Sequence, residues 1–103
     1  MKYNIHVETD VNHCVSSWQK EVQSAELVNA YILAVIDKPD IQALLSKVEL
    51  NEYDTFKTGF VPLAQEIDAM CDELVGPVCV FHAGEEIGCA TCFGIRFMVS
   101  KHV

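Results

Sequence analysis

Two similar hexapeptides, Cys79-Val-Phe-His82-Ala-Gly84 and Cys89-Ala-Thr-Cys92-Phe-Gly94, share the form C-x-x-[CH]-x-G. Two thiolates, or a thiolate and an imidazole, three positions apart can grip one Zn²⁺ where the chain curls into a knuckle, and a nearby glycine tolerates the backbone this needs. Cys79, His82, Cys89 and Cys92 are therefore the candidate ligands of a tetrahedral zinc site. Two features count against it. Only six residues separate the halves, whereas zinc patterns more often space their pairs by about twelve or more. The flanks also alternate like strands, in which residues i and i+3 point to opposite faces, so Cys79 and His82 could share an ion only across a bulge or bend. The competing reading makes these thiols small apolar fillers of a sheet, and the spacing favours it.

Other reactive arrangements are weaker. A redox role for Cys89 and Cys92 lacks the activating helix N-terminus, and the neighbouring Glu85 and Glu86 disfavour a thiolate. His13-Cys14, like Cys79 with His82, has no glycine-rich turn nearby to build an oxyanion site, and at a predicted helix start His13 and Cys14 read instead as an N-cap neighbour and a core thiol. Glu66, Asp68, Asp72 and Glu73, with Glu49, Glu52 and Asp54 before them, read as a solvated helix face rather than a cation site. No phosphate-cradling loop, dinucleotide fingerprint or zinc-protease motif is present, so no cofactor other than zinc is suggested.

The elements that carry these residues follow from periodicity. Tyr3, Ile5, Val7 and Thr9 alternate with polar residues and predict a half-buried strand over Lys2 to Thr9. Val11, Val15, Trp18, Val22, Ala25, Val28, Ile32 and Val35 recur every three or four positions. They predict an amphipathic helix from about Asn12 to Ile36, either continuous or broken near Ser24, whose hydroxyl can cap a second helix at Ala25. Pro39 opens a short helix to about Leu50, Asn51 to Phe60 reads as a loop, and a further helix spans Val61 to Leu74 before Gly76-Pro77. Alternation returns over Val78 to Ala83 and Thr91 to Val99, on either side of the turn segment Gly84 to Gly88, as a hairpin. The predicted fold is a single α+β domain over residues 1–103. A small antiparallel sheet of about three strands, the N-terminal strand plus the C-terminal hairpin, carries two to four helices packed on one face.

Composition narrows the function. The 7 basic residues are scattered against 15 acidic ones, for a net charge of -8, which argues against nucleic acid and anionic membrane as partners and leaves a basic protein surface, a metal or a neutral ligand. The longest apolar run, Ala30 to Ile36, is far below the roughly 20 residues that span a bilayer, and Met1 to Glu8 has no apolar export core. Five cysteines in such a chain predict reduced thiols and a cytoplasmic protein. Hydrophobic residues make up 50% of the sequence, more than so small a body can hide, which predicts a homo-oligomer or another covered apolar surface. Asn29 also falls at a core position of a short heptad run with Val15, Trp18, Val22, Ala25, Ile32 and Ile36, as a helix seam between copies would have it.

The leading expectation is a self-associating, non-enzymatic binding or protein-interaction domain with a basic partner. A zinc-stabilised module on Cys79, His82, Cys89 and Cys92 is the second. The third is a small enzyme or ligand-binding protein with a pocket between sheet and helices, using His6, His82 or Arg96.

Overall fold

The computed structural model describes residues 2–11, 14–49, 61–73, 76–84 and 93–102. Their order is β1 (Lys2–Val11), β2 (Cys14–Val22), α1 (Ala25–Ile36), α2 (Pro39–Glu49), α3 (Ala64–Glu73), β3 (Val78–Gly84) and β4 (Phe93–His102). The strands form one sheet in the order β2-β1-β4-β3, with every neighbouring pair antiparallel. The α+β expectation holds, and the first strand joins the C-terminal pair through β4, with Val7 opposite Phe97.

One expectation is overturned. Residues Cys14 to Val22 form a strand, not the first half of a long helix. The cause is visible in the burial. Only Val22 is buried and Trp18 half-buried, because β2 lies at the sheet edge where the helices barely reach, and two apolar side chains four residues apart imitate a helical period. Ser16-Ser17 and the β-branched Val15 suit an extended chain better than a helix. The heptad run through Asn29 falls with it. Asn29 instead donates to the Pro62 carbonyl at 2.6 Å, joining α1 to the segment before α3.

Ser24 does cap α1. Its extended backbone (φ -152°, ψ 159°) turns the hydroxyl onto the Leu27 amide at 3.3 Å, satisfying one amide that the first turn leaves unpaired. Pro39 starts α2, as its fixed φ allows, and the Gln42 side chain reaches back to the Ile36 carbonyl at 2.7 Å. At α3 the Glu66 carboxylate accepts from the Leu63 amide at 3.3 Å. The chain then turns through Gly76, whose φ of +103° an L side chain would resist. The predicted loop at Asn51 to Phe60 and the turn at Gly84 to Gly88 lie, apart from Gly84, outside the described residues.

The core lies between the helices and one sheet face. Tyr3, Ile5 and Val7 of β1 and Ile95, Phe97 and Val99 of β4 meet Val28, Ile32 and Val35 of α1, with Ile41 and Leu44 of α2 and Ile67 of α3. Phe81 packs edge-on to Phe97 with ring centroids 5.8 Å apart, a geometry the aromatic quadrupole favours.

Candidate functional site

Alternation along β1 that buries Tyr3, Ile5 and Val7 sends Asn4, His6 and Glu8 to the opposite sheet face, away from the helices. There Glu8 accepts from Arg96 at 2.6 Å and lies 3.1 Å from His6 Nε2. The Arg96 hydrogen bond is the main reason the Glu8 carboxyl sits below its usual range; burial opposes the shift and His6 adds to it. His82 is the cross-strand partner of Arg96 on the same face. Thus His6, His82 and Arg96 do come together in one region, but on the face away from the helices rather than between the two layers.

The bulge that a shared Cys79–His82 ligand would require is present. Pairing of β3 with β4 shifts between Cys79 and Phe81, so Val78, Val80, Phe81 and Ala83 are all buried while Cys79 and His82 both turn outward. Cys79 Sγ lies 3.6 Å from His82 Nδ1 and 3.6 Å from the Phe81 carbonyl oxygen. Zn–S of about 2.3 Å and Zn–N of about 2.0–2.1 Å at a tetrahedral angle place two donors about 3.6 Å apart, so the pair has the spacing of a shared ion. Without metal the same contact serves as a thiol–imidazole hydrogen bond, and burial pushes the Cys79 thiol up. Cys89 and Cys92 lie outside the described residues, among which no group of three or more metal-ligating side chains occurs.

One cleft among the described residues lies apart from these side chains. A 360 Å³ cleft is lined by Tyr3, Gln23, Ser24, Ala25, Glu26, Ala64, Gln65 and Asp68, with none of His6, His82 or Arg96. Beside it, Tyr3 donates to Asp68, and Lys101 Nζ bridges Asp68 at 3.0 Å and Asp72 at 2.6 Å. Burial, then the Asp68 hydrogen bond, pushes the Tyr3 hydroxyl up to about 12. The i, i+4 pair Asp68 and Asp72, read from sequence as solvated, therefore anchors α3 to β4.

Charge is divided between the layers. Among the described residues, the helices and their junctions carry Glu26, Asp37, Asp40, Glu49, Glu66, Asp68, Asp72 and Glu73 against Lys38 and Lys47. The strands carry Glu8, Asp10 and Glu21 against Lys2, Lys20, Arg96 and Lys101. The helical layer is strongly acidic and the sheet close to neutral. Within that acidic layer, Glu26 and Asn29 are the only residues of α1 outside the aliphatic and aromatic types. Its outward side presents Ala30, Ala34, Leu27 and Leu33, the two leucines each 50% exposed, and Leu63 near α3 is 55% exposed.

Reading Ala25 to Ile36 within an amphipathic pattern that begins near Asn12, whether continuous or broken at Ser24, hides this outward side. The signal was available: from Ala25 to Ile36 apolar residues cover every face, and such a helix is ordinarily covered all round. Cys14, read as a core thiol, is exposed at the start of β2, and His13 lies outside the described residues. Trp18 and Tyr31 pack against the core, whereas Tyr53, Phe56 and Phe60 lie outside the described residues. Among the described residues no helix is long and apolar enough to cross a membrane. Comparison with protein-family models, with curated proteins and with solved structures finds no match to this chain.

Proposed function

We propose that this chain is an acidic protein-interaction domain that works without catalysis, associates with its own copies and receives a basic partner on its helical layer. One observation carries the reading: the outward side of α1 holds exposed Leu27 and Leu33 around Ala30 and Ala34, inside a field of carboxylates. Apolar contact supplies the affinity there, and the surrounding Glu26, Asp37 and Asp40 select for and steer a cationic surface. The probe is a synthetic amphipathic helical peptide with a leucine face and lysine flanks, titrated by fluorescence anisotropy at low and molar salt. Binding weakens steeply with salt, and Leu27→Ser with Leu33→Ser, which leaves the charge unaltered, weakens it at least about tenfold by removing apolar contact. Equal binding by the wild type and that variant would mean the peptide only follows net charge, and the reading fails.

A second reading, a zinc-stabilised module on Cys79, His82, Cys89 and Cys92, is supported by the bulge and the 3.6 Å Sγ–Nδ1 spacing. Metal content of protein purified without added metal decides it. One equivalent of zinc, lost in Cys79→Ser, supports the site, and less than about a tenth of an equivalent in the wild type excludes it.

A further inference from the structure

The two edges of the sheet are unlike. β3 is short and bulged at Cys79, whereas β2 is nine residues long and pairs with β1 in unbroken register from Val22 opposite Tyr3 to Cys14 opposite Val11. Proline and bulges are absent from it, its side chains are exposed apart from Trp18 and Val22, and β1 is its only neighbour among the described strands. A regular edge with a strand on one side only, as β2 has among the described residues, presents a row of backbone donors and acceptors ready to pair, the feature that monomeric proteins usually blunt.

We infer that β2 is the contact between two copies of this chain, pairing antiparallel with the β2 of a second copy to make one continuous eight-stranded sheet. The inference rests on the self-association in the reading above and says which surface performs it. Charge selects the occupant. β2 carries only Lys20 and Glu21, which cancel, in a chain of net charge -8. Two acidic helical layers repel each other, while two neutral edges meet without that cost, so a copy is favoured at β2 and a basic partner at α1. Antiparallel pairing about Trp18 sets Lys20 opposite Ser16, Glu21 opposite Val15 and Gln19 opposite Ser17 of the second copy, so no like charges face each other. The two copies' α1 surfaces remain open.

Sedimentation equilibrium on three proteins tests this. The wild type sediments as a dimer. Ser17→Lys with Gln19→Lys, both at exposed positions, sets like charges across the two-fold and weakens the dimer at least tenfold at low salt, with part of the loss recovered at molar salt. This variant is less negative overall, so long-range repulsion alone would strengthen its association. Leu27→Ser with Leu33→Ser leaves the dimer intact. Circular dichroism and the fluorescence of Trp18 check that each variant is folded. If the leucine variant dissociates and the lysine variant does not, the edge pairing is wrong while self-association stands. A wild type that is monomeric at every concentration overturns both.

Discussion

Trp18 Nε1 donates to the Tyr31 hydroxyl at 2.7 Å, tying the edge strand β2 to the helix α1. This bond joins the strand assigned to copies and the helix assigned to a partner, and it holds the edge at the middle of β2.

Tyr31→Phe removes that acceptor and leaves the indole N–H to water. Both side chains are only half-buried, so the expected loss of unfolding free energy is about 0.5–1.5 kcal/mol, read from urea denaturation. The chain has a single tryptophan, so its emission reports the edge directly. An unchanged midpoint and an unchanged emission maximum would show that the bond contributes nothing.

The Glu8–Arg96 pair predicts an acid limb. Glu8 titrates below its ordinary value of 4.5, so its contribution is present above that pH and is lost as pH falls through the lower folded value. In Glu8→Gln the stability curve is lower at neutral pH and flatter below pH 4.5, measured by denaturant midpoints across pH. Parallel curves for the two proteins would contradict this account of the sheet face.

Tyr3 predicts the opposite limb. Its hydroxyl is held protonated, from an ordinary 10.0 up to about 12, so the stability it confers is complete below pH 10 and disappears as pH rises through 12. Wild-type stability therefore falls more steeply than that of Tyr3→Phe between those values. A variant whose alkaline decline matches the wild type would show that another group controls it.

What the sequence disclosed depended on how completely each element is covered. Tyr3, Ile5 and Val7, and Ile95, Phe97 and Val99, alternate cleanly because β1 and β4 are central strands with one face wholly buried. β2 gave a helical period because an edge strand buries too little to enforce alternation: Ser16 and Lys20 share the core-side face with Trp18 and Val22. The bulge at Cys79 has no local signature, yet it moves Phe81 inward and His82 outward, which alternation from Val78 assigns the other way. His6, Glu8, Arg96 and His82 meet through strand order, which sequence spacing does not encode. Charge was legible as a total, whereas its division between layers required knowing which acids lie on helices.

Hydrogen exchange of the intact chain at increasing protein concentration tests the central claim most directly, because it reads the two surfaces separately. The β2 amides that do not pair with β1 exchange freely in dilute solution, and they become protected as concentration rises through the dimer range while α1 amides keep their rates. Exchange at β2 that is equally fast at all concentrations, although the protein sediments as a dimer, would contradict the account.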